Sequence, residues 1–317
     1  DSVAFLKNYT GRNFYAMGGA WRSMALAHIY MSHHPLKLVD SYQVEGKEAT
    51  AFAGLISRQK LADLEKTVGM SRKRIRDMDV AALTMEQLFK KIVPKQLVFS
   101  GTGLREGLLF DQLSMPARAE DPLLAGCRKI AVRAGRFDSL EAYQTLFHFI
   151  KPLFAKEDTA QLRLLEASCF LSDTSWFEHE DYQAEHAFRR ILVMPFYGID
   201  HAGRTFLALT QYVHYKGYYK GYPKHAAHAK EFDKITAPAQ KLLDHQAVEL
   251  AVAIGSAQRL AYLLTGGALH LLAEAELQIT PTHLSLKLKG AAAILDADIV
   301  RDALAALAEI RNLKVDV

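Results

Sequence analysis

Ser100, Gly101, Thr102 and Gly103 follow the apolar triplet Leu97, Val98 and Phe99 and run straight into Leu104, Arg105 and Glu106. A short buried strand, a glycine turn and a helix start together make a place where an anion can sit. Glycine lets the backbone come close to a ligand, the first helical N–H groups lack partners, and the helix dipole is positive there. The same pattern is also an ordinary α/β connection, with Arg105 and Glu106 as a structural pair. A second stretch carries Lys216, Lys220 and Lys224 four apart among Tyr215, Tyr218, Tyr219 and Tyr222, closed by His225. Interleaved cations and rings can track a phosphate chain or a single nucleic-acid strand, and the competing reading is a solvated loop face. Ser71, Arg72, Lys73, Arg74, Ile75 and Arg76 form another basic cluster, read as a solvated helix face. The serines lack a nucleophile-elbow setting, so no catalytic triad has specific support.

The elements that must position these groups change character along the chain. Up to residue 115, strands and helices alternate: strands are expected at 13–17 and 97–99, with a short extended piece at 42–45. Helices are expected over 20–32, 47–56 and 79–93, the last stopping before Pro94, and after Gly103 with Leu104, Leu108 and Leu109 on one apolar face. Ser57 reads as the cap of a further helix ending near Gly69. Pro116 and Pro122 frame a linker. Beyond it the pattern is helical, over 121–134, 138–153, 157–172, 180–193, 200–215 and 239–265. The small residues of the last of these (Ala251, Gly255, Ala257, Ala261) predict close helix packing. A hairpin is expected about Pro281 and Thr282, then a helix over 297–310 and a last strand at 313–317.

With 317 residues, 50% of them hydrophobic and 23% charged, the composition is that of a globular chain with room for two domains. A net charge of +4 permits an anionic ligand and is thin support for nucleic acid. Cys127 and Cys169 are too few for a disulfide framework, so a reducing cytoplasm is the expected setting. No apolar run reads as long enough to span a bilayer, and no membrane is expected.

The wording of the first turn is more specific than its geometry. Residues 100–113, SGTGLREGLLFDQL, resemble the LREG segment that closes the second actin-like domain of the exopolyphosphatase/guanosine pentaphosphatase family. Upstream, Asn13 to Arg22 resembles that family's strand and glycine loop, although Ala20 and Trp21 stand where its hydroxyl residues would be. The resemblance covers 13–115 well and the rest more loosely. It implies an α/β plus α fold: a partial actin-like (ribonuclease H-like) α/β domain over 1–115, a linker at 116–122, an HD-like all-α domain over 123–265 and a small α+β domain over 266–317.

It also implies a function. The parent protein is expected to hydrolyse terminal phosphate from inorganic polyphosphate or guanosine pentaphosphate, with Mg²⁺ and a catalytic carboxylate supplied from upstream of this chain. This segment, expected to be the C-terminal part of that protein and inactive alone, supplies one cleft wall through Gly18, Gly19, Arg22, Gly101, Thr102, Gly103, Arg105 and Glu106. Lys216, Lys220, Lys224 and His225 are the expected polyphosphate contacts, and a homodimer is expected. In the HD-like region Ser172 replaces the metal-binding histidine of HD-type phosphohydrolases, so no metal is expected there, and Asp173, His179 and His186 are what remains of such a site. The alternatives are a non-catalytic polyanion- or alarmone-binding regulatory module and an HD-type metal phosphohydrolase.

Overall fold

A computed structural model describes residues 4–60, 76–137, 139–218, 226–290 and 297–315. The chain is α-rich with two small three-stranded sheets, and it divides into two compact units, Asp1–Ala119 and Glu120–Val317.

In the first unit, a 3₁₀ turn (Ala4–Tyr9) leads to β1 (Phe14–Ala16), α1 (Gly19–Met31), β2 (Tyr42–Glu45), α2 (Gly46–Ser57), α3 (Met78–Ile92), β3 (Gln96–Phe99), α4 (Leu104–Asp111) and α5 (Met115–Ala119). The sheet order is β1-β3-β2, with β1 parallel to β3 (Ala16 beside Phe99) and β2 antiparallel to it (Tyr42 beside Phe99). Met24 and Ile29 of α1, Phe52 and Ile56 of α2, and Met85 and Phe89 of α3 pack with Leu97 and Phe99 into one core. The recurrence of these residues at three and four is what the sequence pattern detects. The α3 helix stops at Val93, which is in the left-handed region just before Pro94. Gly46, where α2 begins, has no room for a Cβ because the carbonyl of Pro94 lies against it. Because β1 and β3 run parallel, α1 and α4 both start at the same end of the sheet.

Two sequence readings meet a different arrangement here, and a third falls outside the described residues. The apolar residues of α4 face outwards, with Leu104 81% and Leu109 70% exposed, and no residue of this helix is buried. Periodicity identifies a face that favours cover, without saying that its own unit provides it. The stretch read as a linker is largely the short helix α5, which takes Pro116 into its first turn, where the missing N–H costs nothing. The helix expected after Ser57 and most of the basic cluster at 71–76 lie outside the described residues.

The second unit runs α6 (Pro122–Ala134), α7 (Glu141–Ile150), a 3₁₀ turn (Lys151–Phe154), α8 (Thr159–Phe170), α9 (Glu180–Val193), α10 (His201–Lys216), α11 (Ala226–Gln240), α12 (His245–Thr265), β4 (Ala275–Ile279), β5 (His283–Leu288), α13 (Asp298–Ile310) and β6 (Lys314–Val315). Four of its helices start on an aspartate whose carboxylate accepts first-turn amides: Asp121, Asp158, Asp200 and Asp244. The hairpin β4–β5 is antiparallel, and β6 joins β5 in parallel. Almost every residue of α10 from Arg204 to His214 is buried, and α12 packs against it.

The helix expected over 239–265 is two helices. Pro238 sits near the end of α11, the chain turns at 241–243, and Asp244 restarts the helix by accepting the Ala247 amide at 2.7 Å. The sequence reading assigns no helix between 215 and 239, where the structure has α11 from Ala226 onwards. Against the sequence reading, α12 is long and apolar enough by length and composition to cross a membrane, but 67% of its most apolar window is buried inside the structure, as in a core helix.

Candidate functional site

The turn after β1 and the turn after β3 open on one cleft of about 600 Å³. Met17, Gly18 and Arg22 line it from one side, and Gly101, Gly103, Leu104, Arg105, Glu106 and Gly107 from the other. Gly18 holds a φ of 119°, a region other residues rarely enter, and serves as the N-cap of α1. It has no side chain to offer, and no other side chain caps that helix. The positive end of α1 is therefore without a side-chain cap, and the cleft is lined at that end by Gly18 and by Arg22, whose Nε lies 3.4 Å from the Gly18 carbonyl.

The turn after β3 is arranged in the opposite way. The Gly101 amide donates to Asp40 Oδ1 at 2.9 Å, the Thr102 amide to Ser100 Oγ at 3.1 Å, and the Gly103 amide to Glu106 Oε2 at 2.7 Å. The three turn amides that precede α4 are thus each bonded to an oxygen of the chain itself. Glu106 reaches back to cap its own helix, half of a capping box. The Gly103 amide, and then the Arg105 and Arg22 charges, hold its carboxyl below the usual range. Asp40 escaped the sequence reading. It is fixed by the β2–β3 register, which sets Tyr42 beside Phe99 and so brings residue 40 alongside Gly101. In the cleft, Arg22 and the amides at the start of α1 can donate to phosphate oxygens, while the β3 turn offers bonded turn amides and the Arg105 charge.

In the second unit the HD-remnant residues are dispersed. Asp173 is 1% exposed and gripped by Arg136, with Nη2 at 2.9 Å from Oδ1 and Nε at 3.1 Å from both oxygens. Burial pushes its carboxyl up, against the pull of Arg136. Ser172 donates to the Cys169 carbonyl at 2.8 Å and shares a hydrogen bond with the Tyr262 hydroxyl at 2.7 Å. His179 caps α9, its Nδ1 accepting the Asp181 amide at 3.3 Å. His186 pairs with Glu178, which also takes Arg190. Among the described residues no group of three His, Cys, Asp or Glu side chains converges. Arg136 was missed because a lone arginine 37 residues before its partner leaves no periodic signal. Lys216 pairs with Glu231 of α11 at 3.5 Å, whereas Lys220, Lys224 and His225 lie outside the described residues.

Comparison with known proteins adds two findings. The family model described as "Exopolyphosphatase, C-terminal" matches residues 146–317, all within the second unit. "Retrograde regulation protein 2" of Saccharomyces cerevisiae (strain ATCC 204508 / S288c) is 25% identical over 220 residues, a match covering 64% of this chain and 35% of that protein. The chain thus spans about a third of the length of this curated relative.

Proposed function

The chain belongs to the exopolyphosphatase C-terminal family, and from that premise we propose that it works within a phosphoanhydride hydrolase acting on inorganic polyphosphate or guanosine pentaphosphate in the cytoplasm. On this reading the first unit is part of an actin-like α/β domain, 123–265 an HD-like helical domain, and 266–317 a small α+β domain that helps form a homodimer. The observation that carries the proposal is the convergence of the two glycine turns on one cleft, with the α1 amides uncapped and Arg22 and Arg105 beside them. Those amides and Arg22 donate to the terminal phosphate's oxygens. When bound, Mg²⁺ offsets charge on the phosphates. The carboxylates at the β3 turn, Asp40 and Glu106, do not fit it as ligands, since each is engaged by a turn amide. On this reading its ligands and the catalytic base come from outside this chain.

The test is phosphate release from long-chain polyphosphate with Mg²⁺, measured on this chain and on a polypeptide that continues it upstream of Asp1. Release by the longer protein only is expected. Equal release by this chain alone would overturn the division of labour.

A second reading has its own support. The three β3-turn amides are sealed, Ala20 and Trp21 lack hydroxyls, and the yeast relative is named as a regulator. A regulatory module that binds a polyanion or alarmone would retain binding and release no phosphate in either polypeptide.

A further inference from the structure

On α6, the positions Ala125, Arg128, Lys129, Val132 and Arg133 recur at three and four and so form one stripe. The opposite stripe, Leu123, Cys127 and Ala131, is fully engaged in the core. The outer stripe lines a shallow groove of about 290 Å³ closed by Leu140 and Glu120. Five residues separate Arg128 from Arg133, so the three cations lie within about 8 Å along the helix axis. The one carboxylate that lines the groove among the described residues, Glu120, is tied to Arg128 at 3.1 Å. Arg128 is further steadied over the Phe170 ring at 6.0 Å. Lys129 and Arg133 have no carboxylate partner among the described residues.

We propose that this stripe of α6 is a polyphosphate-binding track, in which Arg128 is a fixed anchor and Lys129 and Arg133 close over successive phosphates of a linear chain. The proposal rests on the polyphosphate reading above and adds a contact surface distinct from the lysine–tyrosine row. The groove favours a bare phosphate chain over other polyanionic partners for two reasons. Among the described residues no aromatic side chain lines it, so those residues offer no stacking platform for nucleic-acid bases. The apolar face of α6 is buried in the core and cannot enter a lipid surface. What the stripe presents is a short run of like charge over a floor of Ala125, Val132 and Leu140, which suits a ligand that is charged along its whole length and has nothing to read in sequence.

The experiment measures binding of long-chain inorganic polyphosphate to the full chain by calorimetry across a range of KCl concentrations. It compares the parent chain with Lys129→Gln/Arg133→Gln, with the charge-preserving Lys129→Arg/Arg133→Lys, and with Lys234→Gln/Lys241→Gln on exposed positions elsewhere. Each cation that neutralises a phosphate releases counterions, so losing two contacts lowers the slope of log K against log salt by roughly 1.5. The expected result is that drop, with at least a tenfold loss of affinity at low salt, for the first pair alone. Unchanged slope and affinity in that pair, with polyphosphate still bound, would overturn the track and leave the family reading standing. No binding by the parent chain would overturn the polyphosphate reading itself. A single-stranded RNA of matched charge that binds as tightly, with the same sensitivity to the first pair, would overturn the assignment to polyphosphate.

Discussion

Arg136 and Asp173 illustrate how a residue chosen for one chemistry can serve another. Asp173 attracts notice in the sequence as a remnant metal ligand, yet in the fold it is the buried half of an ion pair, with Arg136 reaching it from the end of α6 and lying over the Trp176 and Tyr262 rings. The two halves are unequal: the arginine side chain keeps 32% exposure and the aspartate keeps 1%. Removing the arginine strands a buried charge, at a cost of about 3 kcal/mol, while Asp173→Asn releases an arginine that water still reaches and costs less. Burial already pushes the Asp173 carboxyl up, and without Arg136 only the hydrogen bond from Tyr262 still opposes it. The folded Arg136→Met protein therefore holds a proton that the unfolded chain releases above about pH 4, and its deficit grows as pH rises. Urea midpoints at pH 5 and pH 8 check this. A deficit equal at both values would mean that the packing of the guanidinium over the rings, and not the buried charge, carries the effect.

Elements were legible where a cap or a strict period marks them. Asp121, Asp158 and Asp200 each stand just before an apolar run, so the starts of α6, α8 and α10 are visible in the sequence. The division of 239–265 was not, because Pro238 and Asp244 interrupt a run that stays helical in period on both sides. The outward face of α4 was also not legible, since burial depends on what a helix meets and not on its own spacing. At the cleft, the glycines and Arg22 could be picked out, whereas the carboxylate that seals Gly101 depends on strand register, a long-range property. The packing of α12, by contrast, follows from its small residues. A Cβ on Gly255 would meet the Thr210 carbonyl at 2.5 Å and Val213 Cβ at 2.8 Å. Gly255→Ala therefore wedges α10 from α12 and destabilises by about 2 kcal/mol despite better helix propensity. Gly107 in α4 has nothing within 4 Å of the same added atom. Gly107→Ala stabilises by about 0.5–1 kcal/mol. Thermal melts of the two variants should shift in opposite directions, and a shared direction would show that backbone propensity, not the helix crossing, decides both.

At the scale of the whole molecule, buried histidines set how stability responds to acid, and the two units can be followed separately because each holds one of the chain's two tryptophans, Trp21 and Trp176. In the first unit, burial lowers His28 and His34, with the Glu48 carboxylate pulling His28 back and Tyr42 bonded to its Nδ1 at 2.7 Å. In the second unit, burial and then the charges of Arg259 and Arg136 drive His214 down to about 3, with its ring against Tyr262 and Tyr215. A histidine that stays neutral when folded takes up its proton only on unfolding. The unfolded state then binds more protons below its own value of about 6.5, so stability is complete above that pH and falls as the pH drops. For His214 the fall approaches 1.4 kcal/mol per pH unit and persists to the lower end of the range. The carboxylates whose folded values are lowered, Asp121 and Glu106 among them, add their own loss only below about pH 4.5, leaving higher pH to the histidines and to Asp173, whose carboxyl, raised by burial, works in the opposite sense and is common to the compared variants. In a Trp21→Phe background, Trp176 fluorescence in urea reports the second unit alone. There His214→Gln is expected to lower stability at pH 8, through loss of the ring contacts, and to flatten the slope between pH 6.5 and 5. An unchanged slope would place the second unit's acid sensitivity in some other group and return His214 to the role of a packed ring.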